Sequence, residues 1–531
     1  MEKNTFGEFL REKRRQCGLS QCQLGMLLKV SDKAVSKWEN GLARPKSQLL
    51  YQLSEILGVT VDELLAGGLH PDCEKKSGLA EERRGYLWDK AYSNLMERYA
   101  DRPSAEMIGR FEMEKLALMN TDMILFYDLL SQLSQSALEK GCPIFQEGGI
   151  GASFVAYLLG ASEVNPLPAH CYCPVCKKVE FVPGVSDGWE LDRKYCASCH
   201  CALERDGHDI PFEVYRHIIG KNVGFSFVIG RCFYEAAEEK IIRYFGNDRV
   251  AVLNPPPEIT AGRDISRMTT YVVQRLDRLS PKIDSVVCSC EEYHESISDK
   301  PYINLILRDD YEKYIALKRM VDFSGAKVDF LDDQVQKALF GGDINGIPTF
   351  DLRSLSGLMA RFPVKNFRDA LQLYGIALNV SVLSEVEADS YIHRLGDLSE
   401  AISYRDDVYL YICSKMKEHG CLETGLAFQV MDRTRRGYYR RNGIDRHIRS
   451  LLLDIGVSEQ YIACLEDTAH LFPKAQGVVL FRHTLTLLWY RIHCPEEFRH
   501  VFGEDAAGSG KGERGPEHGS AESGSEVTPC G

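Results

Sequence analysis

Residues 148–176 read GGIGASFVAYLLGASEVNPLPAHCYCPVC. The stretch opens on a glycine-rich turn, Gly148, Gly149 and Gly151, closed by Ser153 ahead of an apolar helical run. Such a turn either cradles a phosphate with its backbone amides or simply bends where a positive φ is needed. The stretch ends on Cys173-x-x-Cys176, and a second doublet, Cys196-x-x-Cys199, follows after residues 177–195. Two short knuckles at that spacing present four thiolates to one tetrahedral zinc. Four thiolates leave no open position for water or substrate, so the expected Zn2+ is structural. His170, Cys171, His200 and Cys201 lie in the same window and are expected bystanders, although Cys171-x-Cys173 and Cys199-x-Cys201 offer alternative pairings.

Around this window the chain runs to 531 residues, enough for two to four domains with their own cores. A formal net charge of −12 excludes a uniformly basic nucleic-acid coat while leaving room for a local basic face. The N-terminus, MEKNTFGEFLREKRRQCG, is charged and lacks an apolar signal core, and no later segment offers an apolar run of transmembrane length. A cytoplasmic protein with no membrane partner is expected. In that compartment the 18 cysteines are mostly reduced thiols or metal ligands.

From Phe6 to Leu65 the apolar period is helical. Gly18 stops a first helix; LSQCQLGMLLKVSDKAVSKWENGLARP, residues 19–45, reads as two short helices joined by a tight turn, with Ser20 and Ser31 as N-caps. SQLLYQLSEILGV and TVDELLA complete a five-helix bundle. The order and spacing of LSQ, SKWENG and the following proline resemble the Cro and phage-repressor (Cro/C1, XRE-type) helix-turn-helix family. That resemblance implies double-stranded DNA as partner, with the second helix of the motif in the major groove. Asp32, Lys33, Ser36 and Lys37 are then the expected base readers, and Gln21, Asn40 and Arg44 the expected phosphate contacts. Leu24, Val35 and Trp38 belong to the core, and Arg14 with Glu39 to a structural ion pair. The small local excess of basic residues makes affinity depend on a homodimer.

A linker is expected at 67–86, where glycine and mixed charge replace apolar periodicity. Beyond it, a helical segment, the glycine-rich turn, EVNPLPAH, the cysteine knuckles and DGHDIPFE follow one another. This order resembles the palm of the PolC-type DNA polymerase III alpha subunit. VDFSGAKVDFLDDQVQKALF, KNFRDALQLYGIALN, SYRDDVYLYICSK, GLAFQVMDRTRRG and YIACLEDTAHLFPKAQG extend the likeness into palm and fingers. The resemblance is patchy between about Val252 and Ile303. It implies a multidomain, mainly α chain with an α+β part. The expected units are 1–66 as reader and 67–86 as linker. A palm-like unit at 87–345 holds the cysteine knuckle at 170–201 and a small mixed sheet. Helical fingers occupy 346–502, and a disordered Gly/Ser-rich tail 503–531.

Nucleotide transfer needs two Mg2+ held by carboxylates. In the PolC family these come from an Asp-x-Asp pair on one strand and a further Asp on a neighbouring strand. The corresponding strand here, GKNVGFSFVIG, puts Gly224 and Ser226 at the paired positions, and Ile306 or Leu307 falls at the third. Asp309 and Asp310 lie at that strand's end, out of register. Glu147 stands where the family places a basic residue before its Gly-Ser turn, and Gln476 replaces a histidine while Lys474 remains. Gly148, Gly149, Gly151 and Ser153 are thus a remnant of the nucleotide loop, and no catalytic residue is expected. The expectation is a bacterial DNA-binding protein, a transcriptional regulator, with a catalytically inactive polymerase-like body. An active Mg2+-dependent polymerase or nucleotidyltransferase, and an adaptor whose partner is a replication protein, are the alternatives.

Overall fold

In the computed structural model of the chain, the described residues fall between 5 and 503. The longer stretches outside them are 58–63, 65–70, 217–223, 257–264, 274–296, 348–354, 381–400 and 504–531. The tail expected at 503–531 therefore lies almost wholly outside the described residues, as does most of the last helix pair expected in the N-terminal bundle.

The first helices are α1 (Thr5–Gln16), α2 (Gln21–Leu27) and α3 (Asp32–Glu39). Ser31 caps α3 by accepting a hydrogen bond from the Ala34 amide at 3.3 Å. Gly25 permits the tight turn between α2 and α3: a Cβ there would lie 2.8 Å from the Val30 carbonyl oxygen. Leu10, Leu24, Leu28, Val35, Trp38 and Leu53 form an apolar core of their own, separate from that of the body. Each fully buried aliphatic side chain contributes roughly 1.5–3 kcal/mol.

The segment expected as a linker is largely helix. Pro71–Arg98 forms one 28-residue helix, because PDCEKKSGLAEERRG is rich in Glu, Lys and Arg, which propagate a helix without an apolar stripe. One large apolar cluster then runs from Leu87 to Phe498, with two small ones beside it.

Two sheets position the body's candidate sites. The larger has the order β1-β5-β8-β7-β6, built from β1 (Phe145–Glu147), β5 (Gly224–Val228), β6 (Val250–Leu253), β7 (Arg267–Val273) and β8 (Tyr302–Leu307). β5 and β8 run parallel, and the other pairs are antiparallel. The smaller sheet is β3-β2-β4, with β2 (His170–Tyr172) between β3 (Val179–Phe181) and β4 (Glu204–Asp206). Cys142 and Cys232 are joined by a disulfide. No described helix is long and apolar enough to cross a membrane.

Candidate metal centre, third helix and strand row

The cysteine doublets sit in two turns of the same shape. Each first cysteine's carbonyl accepts from the residue four positions on, Lys177 to Cys173 and His200 to Cys196, both at 2.9 Å. Lys177 and His200 both take the left-handed conformation, with φ of 61° and 54°. The first turn caps the β2–β3 hairpin, and a Tyr195–Ala202 bridge closes the second. The Sγ atoms of Cys173, Cys176, Cys196 and Cys199 all lie within 4.8 Å of one another. This donor set fits a tetrahedral, thiolate-closed metal ion. Cys201 Sγ also lies 3.3 Å from both Cys173 and Cys199. Cys171 is buried in a small separate apolar cluster, and the His170 ring is engaged with the Pro168 carbonyl at 2.7 Å. His200 points to solvent.

On α3, Asp32, Lys33 and Lys37 are exposed, with Ser36 half-buried beside them and Asn40 exposed at the end. Val35 and Trp38 face inward. Behind this face, Arg14 grips Glu39 through Nε at 2.6 Å and Nη2 at 3.1 Å. Burial opposes ionisation of Glu39, but hydrogen bonds from Arg14, Gln21 and Arg11 outweigh it and hold the carboxyl below its usual range. Gln21 thus spends one amide hydrogen on Glu39 at 2.7 Å. Arg11 anchors Asn40 Oδ1 at 2.6 Å, and Arg44 is exposed over the Phe6 ring.

In the larger sheet, register aligns Glu147 with Ser226, Ser226 with Asn304, and Asn304 with Thr270. Directly opposed residues share a face, so these four form a row across β1, β5, β8 and β7. Asn304 donates to Ser226 Oγ at 3.0 Å and accepts from Thr270 Oγ1 at 2.8 Å. The residue opposite Ser226 is therefore Asn304, not Ile306 or Leu307; Ile306 pairs with Val228, two places along. Gly224 faces Tyr302, whose ring would be 2.3–2.5 Å from a Cβ at 224. Asp309 pairs with Arg231 at 2.8 Å and Asp310 with Arg308 at 3.2 Å, both past the strand's end. Among the described residues, the cysteine set is the only group of three or more His, Cys, Asp or Glu side chains close enough to hold a metal.

The glycine-rich turn leads from β1 through a 3-10 turn (Ile150–Ala152) to the short helix Phe154–Leu158. Gly148 has φ of +100°, and a Cβ on Gly151 would come within 2.9 Å of Ala475 and Val164. The amides that open the short helix are already filled. Glu114, fully buried, accepts from the amides of Phe154 at 2.9 Å and Val155 at 3.1 Å and from Ser153 Oγ at 2.7 Å. Arg110 neutralises it at 2.6 Å. Arg405, also buried, reaches the turn: its Nη2 lies 2.7 Å from where a Gly149 Cβ would stand, and its Nε and Nη2 make no hydrogen bond. Lys474 donates to the His208 carbonyl at 2.6 Å. Sequence reasoning missed Glu114 and Asn304, because neither belongs to a local pattern.

Comparison with known proteins defines two classes of module. Residues 10–64 match the helix-turn-helix family model, and residues 85–322 match that of the bacterial DNA polymerase III alpha NTPase domain. The chain thus joins an XRE-type helix-turn-helix module to a PolC-like polymerase III alpha body. Among its relatives is the DNA polymerase III PolC-type of Thermotoga maritima, 26% identical over 493 residues, covering 81% of this chain and 35% of the relative. Those of Caldanaerobacter subterraneus subsp. tengcongensis and Lactococcus lactis subsp. lactis are each 24% identical, covering 79% and 76% of this chain and 34% and 28% of theirs. The chain spans about a third of the length of these relatives.

Proposed function

We propose that the chain is a sequence-specific DNA-binding regulator whose polymerase-like body no longer transfers nucleotides. The observation that carries this reading is the row Ser226–Asn304–Thr270, a neutral hydrogen-bonded network built on Ser226, one of the two positions where the resemblance to PolC calls for paired carboxylates. Amide and hydroxyl groups do not supply the negative charge that a pair of Mg2+ ions requires. The proposed units are a reader at 1–66, a connector at 67–86, a palm-like unit at 87–345, a fingers-like unit at 346–502 and a tail at 503–531.

In the reader, Asp32, Lys33, Ser36 and Lys37 meet base edges, while Gln21, Asn40 and Arg44 contact phosphates. A homodimer aligns two such readers on one duplex. Zn2+ at Cys173, Cys176, Cys196 and Cys199 fixes the small sheet and performs no chemistry. The glycine turn of Gly148, Gly149, Gly151 and Ser153 is kept as a fold element. The protein acts in the cytoplasm, at the nucleoid, and its body is available to a replication protein.

One observation favours a second reading: Glu147 places a carboxylate beside Ser226. That reading predicts Mg2+-dependent primer extension abolished by Glu147→Gln. Footprinting of the full chain on genomic DNA, run beside primer extension on the same preparation, separates the two. A protected site with no extension supports the regulator. Extension sensitive to Glu147→Gln replaces it with the enzyme, and neither activity, with a replication protein retained, replaces it with the adaptor.

A further inference from the structure

Cys142 and Cys232 form a pair that the DNA-reading proposal does not use. Cys142 is fully buried, in the turn that enters β1, and Cys232 is exposed in the first turn of the helix Arg231–Phe245 that leaves β5. Their Cα atoms are 6.8 Å apart, within the span a disulfide bridges. Arg319, on the helix Asp309–Asp322, directs one guanidinium nitrogen at both sulfurs, 2.9 Å from Cys142 Sγ and 3.3 Å from Cys232 Sγ. Its Nε holds the Gly141 carbonyl at 3.3 Å, which fixes the turn carrying Cys142. An exposed sulfur at a helix N-terminus, facing a guanidinium and backed by a buried second cysteine, combines the features of a thiol that reacts with peroxide and is then resolved.

We propose that Cys232 and Cys142 are a hydroperoxide-reactive thiol pair, cycling between dithiol and disulfide. The Cys232 thiolate attacks the peroxide: an S–O bond forms, the O–O bond breaks, and the hydroxide that leaves takes up a proton to become water. Cys142 then attacks the sulfenic sulfur: the S–S bond forms, the S–O bond breaks, and the second oxygen leaves as water with the Cys142 proton. Two thiols and one hydrogen peroxide give one disulfide and two waters, and a dithiol reductant reverses the change. The Arg319 guanidinium stabilises the thiolate at each stage. The bond ties edge strand β1, which leads into the glycine-rich turn, to the helix after β5, closing a loop across a sequence separation of 90. Closing a loop that long restricts the unfolded chain, so the oxidised form should melt at a higher temperature.

The test uses the full chain, treated with hydrogen peroxide, alkylated with N-ethylmaleimide and mapped by peptide mass spectrometry. The expected result is a linked Cys142–Cys232 peptide that forms about ten-fold faster than oxidation of the exposed Cys22 and Cys421 and disappears in dithiothreitol. A Cys142→Ser chain should leave Cys232 as a sulfenic acid trapped by dimedone. An Arg319→Gln chain, with an unchanged circular dichroism spectrum, should form the linked peptide several-fold more slowly. The proposal is overturned if both cysteines stay alkylatable after Cys22 has been oxidised. It is equally overturned if the bond survives dithiothreitol in the folded protein, which would make it a permanent staple.

Discussion

Arg14 and Glu39, twenty-five positions apart in the chain, meet in a two-pronged ion pair that ties α1 to the end of α3. Both side chains are almost wholly removed from solvent. Removing one partner strands the other charge, at a cost of about 3–5 kcal/mol. Glu39→Ala should therefore unfold the N-terminal module while the body, with its separate core, keeps its own transition. Calorimetry of the full chain checks this; a body transition lost together with the reader would contradict it.

Lys37→Ala, on the exposed face of α3, should weaken binding to the protected site by about 1–3 kcal/mol and leave both melting transitions in place. Quantitative footprinting reads the loss. Unchanged affinity would move the reading surface off this face.

Cys173→Ser should release the metal and loosen β2, β3 and β4, because the two knuckles close the hairpins beside them. Elemental analysis of protein purified without chelator should find about one zinc per chain in the parent and none in the variant. A metal-free parent would remove the staple.

His483 titrates in the body core, among the rings of Phe145, Tyr311 and Tyr314. Burial pushes its pKa down from 6.5 to about 3. The folded chain thus binds fewer protons than the unfolded one between these values, so the contribution is complete above pH 6.5 and is lost as pH falls toward 3. Lowering pH from 6.5 to 5 should cost about 2 kcal/mol through this residue alone. Urea unfolding of His483→Phe should lack that component; an identical pH slope in both proteins would count against it.

Gly224→Asp should destabilise the body by about 1–3 kcal/mol, because the new side chain meets the Tyr302 ring. Adding Tyr302→Ala should recover part of the loss, which urea titration would measure. Neither variant should extend a primer, since Ser226 and the Asn304 opposite it still carry no charge.

What the sequence disclosed follows from distance along the chain. The reader helix and the cysteine doublets rest on spacings of a few residues, and both are recognisable before any fold is known. Ser31 announces its cap by chemistry visible within one helical turn. The partner of Ser226 was not legible, because register across β5 and β8 is a tertiary property and Asn304 is one of several polar residues near the strand. Glu114 was hidden for a similar reason: 39 positions separate it from Ser153, and only packing brings its carboxylate to those amides. The first part of the Pro71–Arg98 helix, up to residue 86, reads as a linker because charged residues without an apolar stripe carry no periodic signal, although they favour helix.

Glu114 gives the glycine turn an unusual self-sufficiency. A carboxylate from the chain itself occupies the seat an incoming anion would take at the first amides of the short helix, with Arg110 as its built-in counter-ion. The turn consequently holds its shape when no nucleotide is present. Such an internally plugged socket needs no bound anion to keep its fold.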